Sequence, residues 1–159
     1  MKNFIALLMF ALASASAAYG EMALNSAVTS ENIAETICVR GYTKTIRPPV
    51  TYTNRIKRKL MKDLGIPWSD ASLFELDHLV PLTIGGNPRS LDNLRLQAWE
   101  PPPITLSDNS TWIGDDSAKV KDKLEVRLNR LVCDGEMELL EAQKCIYFNW
   151  QDCAEQNAP

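Results

Sequence analysis

Glu75-Leu76-Asp77-His78-Leu79-Val80-Pro81-Leu82-Thr83-Ile84-Gly85-Gly86, followed across a loop by Asn93-Leu94, is the stretch on which the fold turns. It is short and apolar, with Ser69-Asp70 before it and a glycine pair after it. That pattern predicts a strand within residues 73–82, a glycine turn and loop, and a second short strand near 93–97. Successive side chains on a strand point to opposite faces, so Asp77 and His78 can share a site only where the strand ends or twists. Pro81 and the glycine pair supply that irregularity. His78 is the only histidine among 159 residues, which excludes a metal site built on several histidines. An imidazole beside a carboxylate at a strand end is suited to act as a base near neutral pH. The plainer alternative is a half-buried structural histidine bonded to a carbonyl.

Helical patterns flank this stretch. Thr51 or Thr53 opens a helix through Leu64, closed by Gly65, with Ile56, Leu60, Met61 and Leu64 at core-facing spacing. Upstream, residues 21–29 read as a loose leader, 31–37 as a short helix capped by Ser30, and 41–49 as an extended loop ending in Pro48-Pro49. Downstream, Trp99 opens a loop to about residue 116, of a length that is usually functional. Asp115, Asp116 and Ser117 are N-cap candidates for a helix to about Cys133, with Val120, Leu124, Leu128 and Leu131 on one face. A last helix covers 137–148, with Leu139, Leu140, Ala142, Ile146 and Tyr147 as its apolar positions. The order predicts an α+β fold with a small two-stranded hairpin surrounded by helices, in one domain.

Charge and cysteines narrow the function. The chain has 17 basic and 20 acidic residues and a net charge of −3, which excludes a uniformly basic nucleic-acid binder. Within it, residues 40–62 hold eight basic residues and no acid: Arg40, Lys44, Arg47, Arg55, Lys57, Arg58, Lys59 and Lys62. This is either a solvated helix face or a phosphate-binding patch. Residues 1–20 read as a cleaved secretory signal: Lys2, an apolar run, then Ala18-Tyr19-Gly20 before the cut. The run falls short of the about 20 apolar residues a membrane span needs. The expectation is a periplasmic or secreted domain over 21–159, with no membrane contact after cleavage. Cys38, Cys133, Cys145 and Cys153 then suggest two disulfides, since no CxxC pair points to a metal. Of three possible pairings, Cys38 with Cys133 and Cys145 with Cys153 is favoured, as a long tie and a local staple.

The string Asp77-His78, Pro81, Gly85-Gly86 and Asn93-Leu94, followed by a helix, resembles the HNH (ββα-metal) endonuclease motif. Further segments resemble those of small exported HNH-like proteins: Cys38-Val39-Arg40-Gly41-Tyr42, Lys121-Asp122-Lys123-Leu124-Glu125, Val132-Cys133-Asp134-Gly135, and Ala142-Gln143 through Ile146 to Trp150. The resemblance covers most of residues 21–159. It implies a ββα-metal core and an exported, metal-dependent nuclease, with nucleic acid as its partner and DNA favoured over RNA as the expectation. It implies Asp77 as a metal ligand, His78 as general base, and Asn93 as the residue that holds the loop. The third motif position, normally a His or Asn on the helix, departs from the pattern. Asp122, with Glu125 behind it, stands in as the second ligand, unless both are surface acids paired with lysines. A carboxylate set suits Mg²⁺, or Mn²⁺, better than Zn²⁺. Lys121 and Arg47 are candidate phosphate contacts, with Arg55, Arg58 and Lys59 from the basic segment. Two rivals remain: a non-catalytic extracellular binding module on a degenerate HNH fold, and a secreted effector acting on protein or glycan.

Overall fold

The computed structural model describes residues 21–114 and 117–157. The expected signal segment lies outside the described residues, as do the cap candidates Asp115 and Asp116. The fold is α+β. In chain order it has α1 (Tyr42–Ile46), α2 (Val50–Asp63), β1 (Phe74–His78), β2 (Leu94–Ala98), β3 (Ile104–Thr105), β4 (Thr111–Trp112), α3 (Ala118–Cys133) and α4 (Leu139–Gln156). β1 pairs antiparallel with β2, so that Asp77 faces Arg95 and His78 faces Leu94. β3 and β4 form a second small hairpin.

The connection between β1 and β2 is tightly built. Gly85 turns the chain with φ 83°, a conformation that disfavours any side chain. A Cβ at Gly86 would lie 1.7 Å from the Val80 carbonyl oxygen. Asn93, fully buried, accepts from the Val80 N–H (2.8 Å) and donates to the carbonyls of Val80 (2.9 Å) and Asn87 (3.0 Å). One side chain thus ties both ends of the loop. Asn93→Ala leaves buried backbone groups unpaired and should lower unfolding free energy by about 2–3 kcal/mol, read by urea denaturation. A loss well under 1 kcal/mol would mean that the loop holds without this tie.

Two apolar clusters flank the hairpin. One packs α3 and α4 onto the glycine turn through Val80, Ile84, Leu124, Leu128, Val132, Ala142 and Ile146. The other joins α2, β1 and the second hairpin through Met61, Ile66, Phe74, Ala98 and Leu106. The chain runs from the second cluster at Phe74 to the first at Val80, and Asp77 and His78 lie between them. Cys38 is bonded to Cys133, 95 residues away, and Cys145 to Cys153. Each expected pair is formed, and two disulfides are compatible with an extracellular or periplasmic location. No helix among the described residues is long and apolar enough to cross a membrane.

Several expectations are corrected. Residues 21–29 are not loose: Leu24 bridges Gly86, and the Asn25 N–H donates to the Gly85 carbonyl at 2.8 Å. Residues 31–37 form only a 3₁₀ turn at Ile33–Glu35. The stretch 41–49 contains α1, because the proline pair stops helix only from Arg47 onward. Leu64 is 51% exposed, standing at the C-cap of α2 beyond its buried stripe. The loop after Trp99 folds into β3 and β4 around Asn109, which takes φ 66°. Buried Asp70 accepts from the N–H and hydroxyl of Ser107 and pins this hairpin to the preceding 3₁₀ segment. The last helix extends to Gln156 with an interruption at Asn149, whose side chain accepts from the Asp152 N–H and restarts it. Leu140 is exposed there, while Gln143, Trp150 and Cys153 are buried instead.

Candidate active site

β1 and α3 build the site. Period-two alternation puts Glu75 and Asp77 on one face of β1, opposite Gln97 and Arg95 on β2. α3 approaches with the buried stripe Ala118, Lys121, Leu124, Leu128 and Val132. The expected stripe included Val120 and Leu131. Val120 instead points outward, because packing against the glycine turn and α4 rotates the helix so that Lys121 faces in. Ser117 holds the N-cap position, but its hydroxyl donates to the Trp99 carbonyl and caps nothing.

Lys121 is 1% exposed. Its ammonium donates to Asp77 Oδ2 at 2.7 Å, Glu125 Oε1 at 2.6 Å and the His78 carbonyl at 2.8 Å. All three N–H bonds are used, so Lys121 is not the phosphate contact expected of it. Burial alone would pull its pKa down, but Glu125 and Asp77 outweigh it and the ammonium is held above the ordinary lysine range. The Lys121 ammonium lies among several carboxyls. Glu75 is pushed up to about 8 by burial and by repulsion from Asp77, Asp122 and Glu125. Burial likewise raises Glu125 to about 7, against the pull of Lys121. Asp122 is raised by burial and by Asp77.

His78 closes β1 and is buried. Its ring bonds to the Pro88 backbone, and Nε2 has no hydrogen-bond partner. Burial lowers its pKa, Asp77 pulls it up, and Arg47 and Lys121 pull it down, with a net decrease. The ring borders a cleft of about 350 Å³ between α2 and β1, which Arg47, Asn54, Lys57, Glu75 and Trp99 also line.

No protein-family model, curated protein or solved structure matches this chain. The geometry therefore carries the argument alone.

Of the residues singled out in the sequence, Asp77, Lys121 and Glu125 meet at one place, where His78 adds its main-chain carbonyl while its ring borders the cleft, with exposed Asp122 beside them and Asn93 holding the loop. Arg47 stands on the cleft wall. Lys57 of the basic segment also lines that cleft, whereas Arg55, Arg58 and Lys59 are not brought there. Arg55 lies over Tyr52, Arg58 lies 4.1 Å over the Trp68 ring, and Lys59 pairs with Asp63 at 2.5 Å. A metal held by Asp77, Asp122 and Glu125 does not fit this arrangement. Asp77 and Glu125 each commit an oxygen to the Lys121 ammonium, and no group of three or more metal-ligating side chains is assembled among the described residues.

Two residues escaped the sequence reading. Lys57 donates to the carbonyls of Ala71 and Phe74, each at 2.7 Å, and clamps the start of β1 to α2. Nothing in a basic run marks one lysine for this role. Glu75 could have been found, since it lies two positions from Asp77 on the same strand face. Its Oε1 is buried without a hydrogen-bond partner.

Glu75 yields a prediction with a definite sign. Its folded pKa of about 8 lies above the ordinary 4.5, so the folded chain keeps a proton that the unfolded chain has already released. Stability from this group is present below pH 4.5 and is lost as pH rises through 8. Glu75→Gln retains a neutral side chain. It should match the wild type near pH 4 and exceed it by about 1–2 kcal/mol at pH 8–9, after discounting for solvent screening. Thermal unfolding across that range checks it, and equal gains at both ends would rule the charge out.

Proposed function

We propose that this chain is an exported nuclease that hydrolyses phosphodiester bonds of nucleic acid, DNA before RNA. On this reading β1, β2 and α3 are an HNH-like hairpin–helix core and His78 is the general base. One observation carries the reading: the His78 ring is tethered on one side by the Pro88 backbone while its buried Nε2 is unpartnered, on a ring that borders a cleft whose wall carries Arg47. A tethered imidazole with one free nitrogen can take a proton from water. That water attacks phosphorus, the phosphorus–oxygen ester bond breaks, and the leaving sugar oxygen takes a proton from solvent. The Arg47 guanidinium neutralises charge on the phosphate. Asn93 keeps the loop, and with it the end of β1, in register.

The resemblance implies Mg²⁺ or Mn²⁺, and a bound divalent ion would polarise the phosphate. The present carboxylate arrangement does not fit one, so no step is assigned to it. The expectation of a periplasmic or secreted location follows from the signal-like N-terminus together with the disulfides.

The test is cleavage of plasmid DNA and of single-stranded oligonucleotides by the protein lacking residues 1–20. Buffers with Mg²⁺, with Mn²⁺ and with chelator are compared. Absence of cleavage in all of them removes the nuclease reading. The carboxylates' commitment to Lys121 favours a second reading, a binding module without catalysis. DNA retention without any cleavage would select it.

A further inference from the structure

The implied metal and the observed lysine compete for the same oxygens. Lys121 projects from a helix stripe that is otherwise apolar and ends with a side chain 2% exposed. Its three donors meet three acceptors: one carboxylate oxygen of Asp77, one of Glu125, and the main-chain oxygen of His78. Such a trio of hard oxygens, two of them anionic, is also what Mg²⁺ or Mn²⁺ seeks. A divalent ion bound to these oxygens would have to sit where Nζ sits.

We propose that the Lys121 ammonium is the resident cation of this site, standing in the place of a divalent ion, and that removing it exposes a site for Mn²⁺ or Mg²⁺ made by Asp77, Glu125 and the His78 carbonyl. Asp122, exposed one residue further along α3, adds negative charge nearby. Lysine was chosen over metal by the phase of α3: the same turn that brings Glu125 to Asp77 places Lys121 between them. The inference takes from the proposed function only the location of the site, and it concerns what occupies that site.

The probe is the metal alone. Thermal unfolding and Mn²⁺ titration by electron paramagnetic resonance are run on the wild type, on Lys121→Ala and on Lys121→Ala with Asp77→Asn. The wild type should bind no stoichiometric Mn²⁺ and show the same Tm in chelator and in millimolar Mn²⁺. Lys121→Ala should melt lower in chelator, and saturating Mn²⁺ should raise its Tm by about 5–10 °C. Adding Asp77→Asn should abolish that response. A folded Lys121→Ala protein indifferent to Mn²⁺ overturns the inference. So does stoichiometric Mn²⁺ on the wild type that Asp77→Asn removes, a result that needs no alanine variant to fold. Cleavage is scored separately. DNA hydrolysis that requires Mg²⁺, with Mn²⁺ bound at Asp77, would overturn the inference and leave the nuclease standing. No cleavage and no wild-type metal binding would do the reverse.

Discussion

Lys121→Met should cost about 3–5 kcal/mol of unfolding free energy, the range for removing one partner of a buried ion pair. Methionine fills much of the same volume, so cavity formation is a small part of the loss. The main part is electrostatic. Asp77 and Glu125 lose the ammonium they share, and the His78 carbonyl loses its donor. The deficit should depend on pH. Glu125 in the folded chain titrates near 7, and below that value its protonated form has less need of a cation. The gap between variant and wild type should therefore narrow at pH 5 and widen at pH 8. Adding Asp77→Asn and Glu125→Gln removes the stranded charges and should recover most of the stability, because a neutral set can replace an ion cluster at little net cost. Urea unfolding of the single and triple variants at both pH values is the measurement. A single variant within 0.5 kcal/mol of wild type would mean that the ion cluster contributes nothing net.

His78→Ala should reduce phosphodiester cleavage by about 10²–10⁴-fold, the usual contribution of a positioned general base. The ring is buried and tied to the Pro88 backbone, so some stability goes with it, and Tm should drop by a few degrees. Activity and stability must therefore be separated. Binding of a DNA oligonucleotide should change little, since Arg47 and the cleft wall remain. Free imidazole should restore part of the lost rate, as it can enter the space the ring vacates and accept the proton. A merely structural histidine would show no such rescue. A folded His78→Ala protein that cleaves at the wild-type rate removes His78 from the chemistry and leaves the nuclease reading without its base.

Much of the scaffold was legible because short-range physics dictates it. The alternation around Asp77, the glycine pair and Asn93 announce a hairpin with a tight connection. Gly86 must be glycine because the Val80 carbonyl occupies the place of its Cβ. Helices α2 and α3 follow from apolar spacing over enough turns for periodicity to speak. Short elements were not legible. α1 has five residues, and β3 and β4 have two each, too few for any pattern. Their existence rests on distant partners, as with Ser107 and buried Asp70.

By itself the sequence determined the hairpin, the two long helices that follow it, the cysteines available for pairing, and the adjacency of an acid to a single histidine. All of these rest on local spacing. Only the tertiary structure decided the rotation of α3 about its axis, and with it which side chain meets Asp77. A lysine inside an amphipathic stripe reads as solvent-facing, because the cost of burying its charge is visible in the sequence while the carboxylates that offset that cost are not. Asp77 lies 44 residues from Lys121 along the chain, and their 2.7 Å contact exists only once the hairpin and the helix have packed.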